Sequence, residues 1–204
     1  NMKTQAKDNW FAIPALTCWA LCAFVVSGSL MAGHWITLPK PDLSNVQWPA
    51  QLTSKNPDGA ASWNAFHFLY SDCPCSMRIL DELVKHPPHP GVHETIFLIG
   101  ESVTAADAAI RIGYSIKYTT PEKVEEEFGI EAAPLLIVRS DEQAVTYLGG
   151  YTSRRQSLNA QHREIISRCY AGDEVVSLPL YGCAVSAGLK DLVDPLRMKT
   201  GLKF

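Results

Sequence analysis

The chain has 204 residues, of which 47% are apolar and 19% charged, and its formal net charge is −3. That is enough chain to bury one ordinary core, and the balance suits a soluble domain fused to an apolar segment. It provides no basic field for nucleic acid, and no repeat or low-complexity tract points to a solenoid.

From Trp10 to Gly33 no residue is charged, and the run FAIPALTCWALCAFVVSGSLMAG is almost wholly apolar or small. It exceeds the roughly 20 residues that cross a hydrocarbon core as a helix. Pro14 falls in the first turn, where a missing N–H costs little. Trp10 and Trp35 bracket the run as interfacial aromatics do, and Lys3 and Lys7 precede it. The positive-inside rule then assigns residues 1–9 to the cytoplasm, 10–35 to a transmembrane helix, and the rest to the outside. The expected location is the inner (cytoplasmic) membrane, single-pass, with a periplasmic domain. A cleaved signal peptide shares the basic start and apolar middle, but the length of the run and the lack of an A-x-A site favour an uncleaved anchor. Ala20, Ala23 and Ser27 at helical spacing, and Gly28 with Ala32 four apart, form a small-residue face that lets helices approach closely. Such residues are also simply common in membrane helices. Cys18 and Cys22, one turn apart, read as small apolar residues there.

Residues 36–62 form an expected extended linker, because LPKPDLSNVQWPAQLTSKNPDGAAS holds four prolines among turn residues. Trp48 is the residue in it that should seek a docking surface. The domain proper is expected over 63–172. Ala65 to Tyr70 has strand character, and SMRILDELVKH after it is helical, with Met77, Leu80, Leu83 and Val84 on one face. Thr95 to Gly100 is a near-continuous apolar run suited to a central strand. Ser102 to Ile112 is helical, Tyr114 to Thr119 extended, and Pro121 to Phe128 helical with proline at its first position. Leu135 to Val138 and Ala144 to Leu148 make a hairpin around RSDEQ. Ser153 to Tyr170 is the last long helix, capped by Ser153. This order is an α/β sandwich with a mixed central sheet. Residues 173–204 remain as a C-terminal tail.

The stretch HFLYSDCPCS resembles the first central strand and active-site turn of thioredoxin-fold proteins, and EEEFGIEAAPLLIVRSDEQAVTYLGG resembles the family's later half. The likeness is nearest to the membrane-tethered extracytoplasmic branch. It implies a thioredoxin-like sandwich over about Trp63 to Gly172, with Pro134 as the cis-proline facing the Cys73–Cys75 turn. The pattern departs from the family at the chemistry. The usual motif is Cys-x-x-Cys; here an ungapped match puts Asp72 at the nucleophile's position and Cys75 at the second cysteine, with Cys73 between. A carboxylate cannot attack a disulfide, which leaves Cys73, expected to be exposed at the same turn, to take that role.

Three readings of Cys73 and Cys75 compete. As a redox pair they would close a tight, readily reduced ring across Pro74. The α-helix N-terminus would favour a Cys75 thiolate, while Asp72 would oppose one. As metal ligands they would need a third donor. The candidates His86, His89 and His93 lie about 15 Å away at ~1.5 Å per residue along the helix, so no metal and no cofactor is assigned. As structural relics they would leave the domain a binding surface. Cys169 and Cys183 are expected to form a structural disulfide across a loop of about 15 residues, worth about 3 kcal/mol in the chain-entropy model. The sharper alternative brings Cys183 to the Cys73–Cys75 turn as a resolving thiol or third ligand.

Two functions stand side by side. One is a membrane-anchored periplasmic thiol–disulfide or assembly factor for electron-transfer proteins, with Cys73, Cys75 and Pro134 as its catalytic residues. The other is a non-catalytic accessory subunit of a respiratory or photosynthetic membrane complex, held by the small-residue face of the anchor. Expected partners are the membrane and either complex subunits or extracytoplasmic thiol proteins, without nucleic acid.

Overall fold

The computed structural model describes residues 5–35, 37–44, 46, 48, 62–140, 145–155, 157 and 159–194, leaving out the side chains of residues 5–12 and 29–35. The chain divides into two compact units, Asn1–Ile36 and Thr37–Phe204.

In the first unit, helix α1 runs Gln5–Trp35 with Pro14 inside it. Of its described side chains, Ile13, Leu16, Trp19, Leu21, Phe24, Val25 and Val26 are exposed. Among the described residues no helix is long and apolar enough to cross a membrane, the described side chains of α1 being those of residues 13–28. Ala20, Ser27 and Gly28 are exposed and Ala23 is partly covered, while the side chain of Ala32 lies outside the described residues.

In the second unit, strands β1 (Trp63–Tyr70), β2 (Val92–Ile99), β3 (Ser115–Thr119), β5 (Leu135–Ser140) and β6 (Val145–Gly149) form one sheet of order β3-β2-β1-β5-β6. β1 and β2 run parallel, as do β2 and β3, whereas β5 is antiparallel to both β1 and β6. Helices α2 (Pro74–Leu83), α3 (Thr104–Arg111), α4 (Pro121–Phe128) and α5 (His162–Tyr170) connect and cover it. This is an α/β thioredoxin-like fold with a mixed five-stranded sheet.

Because side chains alternate along a strand, β1 sends Ala65, His67 and Leu69 to one face and Phe66 and Phe68 to the other. The first face meets Ile79, Leu80 and Leu83 of α2 and Ile165, Ile166 and Cys169 of α5. The second meets Val124 and Phe128 of α4. Local chemistry sets the α4 boundaries. The Thr120 side chain accepts from the Lys123 N–H, Pro121 opens the helix, and Gly129 closes it at φ 64°.

Three expectations are corrected. The described residues of 153–161 are not helical and α5 begins only at His162, without a cap from Ser153: the Gln161 N–H donates to the Tyr151 carbonyl at 2.8 Å just before it. The linker is not a free spacer along its first part. Leu38 bridges Leu180, Leu43 and Val46 pack on the aromatic face, and Trp48 stacks on Phe66 at 5.0 Å. The described part of the tail, to Asp194, belongs to the fold, since short strand β7 (Cys183–Ala184) pairs with short strand β4 (Ala132–Ala133), and α6 (Ala187–Val193) comes after it. Leu180, Ala184, Val185 and Leu189 are buried, so the boundary at 172 cuts through the core.

Candidate thiol site

β1 ends where the chain must turn. The Ser71 N–H donates to Ile99 O at 2.9 Å and the Cys73 N–H to Tyr70 O at 3.0 Å. Pro74 then holds Cys73 in extended backbone (φ −104°, ψ 113°) and opens α2 from its first position. This geometry turns Cys73 inward, to 0% exposure, and leaves Cys75 half-buried. The expectation of an exposed Cys73 is therefore reversed: Cys75 is the more exposed thiol of the turn. Asp72 is exposed and accepts a hydrogen bond from the Tyr70 hydroxyl at 3.1 Å. Burial and that carboxylate push the Tyr70 hydroxyl up to about 12, so it stays a donor at neutral pH.

The Ala133–Pro134 peptide bond is cis. The Cys73 thiol lies 3.9 Å from the Ala133 carbonyl oxygen. Cys75, Arg78, Pro134, Tyr151, Thr152 and Tyr181 line a cavity on this side of the turn. The Arg78 guanidinium lies 3.9 Å from Cys75 Sγ.

The tail completes the site. β7 pairs antiparallel with β4, placing Cys183 across from Ala133. Gly182 makes this approach possible, because a Cβ there would overlap the Ala133 carbonyl oxygen and the Pro134 ring. The backbone edge before the cis-proline, which the sequence leaves open to a docking segment, is taken by the chain's own strand. Ser186 fixes the next helix: its hydroxyl accepts from the Leu189 N–H at 3.2 Å, capping α6, and donates to Glu131 Oε1 at 3.3 Å. Lys190 of α6 donates to the Tyr70 hydroxyl at 3.2 Å, tying the tail to the turn that bears Asp72.

Cys73 thus lies between two other sulfurs. A hydrogen bond to Cys183 is the leading cause that pushes its thiol pKa up, with burial adding to it and a hydrogen bond from Cys75 opposing. The hydrogen bond to Cys73, followed by burial, pushes Cys75 up as well, and the Arg78 charge only partly offsets this. The helix N-terminus was expected to favour a Cys75 thiolate. Crowded sulfurs and a partly dry site outweigh it.

Neither Cys169 nor Cys183 is in a disulfide bond. Cys169 faces the core under α5, where burial raises its pKa, while Cys183 faces the Cys73 turn. The expected bridge between them is absent because the two side chains serve different places in the fold. The metal reading finds no geometry either. His89 packs on Tyr170 and the exposed His93 faces Ser115. Among the described residues, no group of three or more His, Cys, Asp or Glu side chains is arranged to hold a metal ion.

Sequence reasoning missed a buried polar chain behind the site. His67, with 0% exposure, places Nε2 2.8 Å from Glu94 Oε2 and Nδ1 2.9 Å from the Tyr151 hydroxyl. Glu94 also accepts from the His89 N–H at 2.6 Å. Burial opposes the Glu94 charge, yet the hydrogen bond and charge of His67 win and hold its carboxyl below the usual range. The chain ends at Tyr151, which lines the cavity beside Cys75. The signal was present: a histidine mid-strand in AFHFLY and a glutamate entering an apolar strand both need buried partners.

No family model matches the chain, and no curated protein matches it. Among solved structures, a hypothetical protein from Sinorhizobium meliloti 1021 aligns at 17% identity and TM-score 0.49, over 62% of this chain and 81% of its own. An uncharacterized conserved protein from Geobacillus kaustophilus aligns at 13% identity and TM-score 0.49, over 72% and 92%. A secreted Mycobacterium tuberculosis disulfide oxidoreductase, described as homologous to DsbE of E. coli, aligns at 12% identity and TM-score 0.38, over 54% and 81%. The fold is identified by its own sheet order and by the cysteine turn facing a cis-proline. The chain has a thioredoxin-like fold with a Cys-Pro-Cys turn.

Proposed function

We propose that this chain is a membrane-anchored thiol–disulfide exchange protein working outside the cytoplasm, with Cys75 as the thiol that meets the partner. One observation carries the reading: a half-buried Cys75 lines a cavity beside cis-Pro134, with a fully buried Cys73 directly behind it. An entry thiol backed by a second thiol is what exchange chemistry needs, because the mixed disulfide formed with a partner must be resolved from within. The raised thiol pKa values describe the resting reduced state as a slow attacker at neutral pH, so turnover should rise with pH through the alkaline range.

The anchor rests on sequence and on α1. A 31-residue helix spans about 46 Å, and the uncharged run within it exceeds what a bilayer core requires. With Lys3 and Lys7 before the run, the N-terminus is cytoplasmic and the thiols face an oxidising compartment. A reporter active only in the cytoplasm, fused after Phe204, should stay dark; a bright one removes the compartment.

The accessory-subunit reading has one observation in its favour, namely that β7 already fills the groove edge beside cis-Pro134. Both are decided in one native membrane preparation of the Cys73→Ser, Cys75→Ser protein. Loss of thiol–disulfide turnover with unchanged membrane location supports exchange. A wild-type protein that shows no turnover and co-purifies in a stable complex, with the double variant assembling equally well, supports the subunit.

A further inference from the structure

We propose that Cys183 is a third exchange thiol, and that the stable oxidised form of the protein carries a Cys73–Cys183 disulfide. The inference deepens the exchange reading and rests on it. Cys183 is brought to the site by three separate features: the β4–β7 pairing, the side-chain-free approach at Gly182, and the Ser186 cap that fixes the next helix. The Cys73 thiol lies 3.9 Å from the carbonyl oxygen of Ala133, the residue that pairs with Cys183, while Cys75 follows it two residues along the turn, so Cys73 stands between the other two cysteines. A bridge between Cys73 and Cys75 must close across a single proline residue, a ring too small for relaxed disulfide geometry. A bridge from Cys73 to Cys183 joins two segments that already lie side by side and has no such constraint.

The exchange then runs in three balanced displacements, with an external disulfide as oxidant. Cys75 sulfur attacks one sulfur of that disulfide; the external S–S bond breaks, and the first external thiol leaves with the proton Cys75 has lost. Cys73 sulfur attacks Cys75 sulfur, forming Cys73–Cys75 and releasing the second external thiol with the proton from Cys73. Cys183 sulfur attacks Cys73 sulfur, forming Cys73–Cys183 and restoring Cys75 as a thiol with the proton from Cys183. Overall, Cys73 and Cys183 are oxidised by two electrons and the external disulfide is reduced to two thiols. The entry thiol is regenerated, and the tail is covalently closed over the cis-proline groove.

The test uses the purified full chain in detergent with oxidised glutathione as the disulfide. After an acid quench and alkylation, non-reduced peptides are mapped and released glutathione is counted. The expected result is a Cys73–Cys183 peptide, alkylated Cys75, and two glutathione thiols released per bridge. In Cys183→Ala that cross-link is lost and glutathionylated Cys75 or a Cys73–Cys75 bridge accumulates. Gly182→Val, which unseats β7 without removing a thiol, should reduce the cross-link likewise. Wild-type protein that stops at Cys73–Cys75 with Cys183 alkylated overturns the role of Cys183 and leaves the exchange reading standing. Wild-type protein that releases no glutathione overturns both.

Discussion

The two faces of β1 are built on opposite principles. On one, Phe66 and Phe68 meet Phe97, Phe128 and Trp48 in an aromatic stack, with the buried Arg139 guanidinium 5.1 Å over the Trp48 ring; Phe68 and Phe97 lie 4.6 Å apart and nearly parallel. On the other, His67 stands between Ala65 and Leu69 and draws Glu94, Tyr151 and His162 into the core around it. The aromatic face is held by area and shape, which do not titrate. The polar face is held by charges and hydrogen bonds in a dry place, where each partner depends on the others. Two faces of one strand should therefore respond to different perturbations.

The largest effect should come from the aromatic face. Phe68→Ala removes a fully buried ring stacked on Phe97 and edge-on to Phe128, which costs about 3–5 kcal/mol. Urea denaturation followed by tryptophan fluorescence should show that loss equally at pH 7 and pH 5. A loss that depended strongly on pH would mean that the two faces are coupled through the strand.

The next effect belongs to the polar face. Burial, with the neighbouring His67, depresses the His162 pKa to about 4 from an ordinary 6.5, and neither ring nitrogen has a hydrogen-bond partner. As pH falls below about 6.5 the unfolded chain takes up this proton before the folded one does. Stability is therefore lost across pH 6.5 to 4, by about 3 kcal/mol in all at 1.36 kcal/mol per unit. Glu94, Glu82, Arg163 and His67 are the charged or titratable neighbours that modulate it. Glu94, whose folded pKa is depressed, adds a further loss as pH falls through and below the carboxylate range. His162→Leu should leave stability at pH 7 equal or higher, since it removes unpaired buried nitrogens, and should flatten the acid slope. A slope unchanged in that variant would assign the acid sensitivity to Glu94 instead.

These differences explain what could be read from the chain. The strands, the Pro121-initiated helix and the hairpin were legible because apolar runs and turn residues are local signals. Pro134 was locatable through the resemblance of EEEFGIEAAPLLIVRSDEQAVTYLGG to the later half of thioredoxin-fold proteins. The partnership of His67 with Glu94 was not legible, since it depends on the register between β1 and β2. Nor was the position of Cys183, because β4 and β7 are two residues each, too short for any periodic pattern. The simplest cysteine arithmetic paired Cys169 with Cys183 by closeness in sequence. Tertiary pairing put Cys183 with Ala133 instead.

The smallest effect is the one that links fold to site. Ser186 is buried; its oxygen caps α6 by accepting from the Leu189 N–H, and its proton goes to Glu131. Ser186→Ala leaves that N–H without its cap, at a cost of about 1 kcal/mol. The substitution removes no side chain that packs on β1, although Val185 and Leu189 beside it belong to the aromatic-face core, so the loss should be confined to the tail if the tail can open by itself. A local loss of that size raises the population of an opened tail about fivefold. The Cys183 thiol, held against Cys73 when the tail is closed, should then be alkylated faster by a similar factor, while Cys169 under α5 should not change. Equal acceleration at Cys169 and Cys183 would show that the tail opens only with the whole domain. Cys183 would then be a fixed part of the core rather than a strand that the exchange site can release.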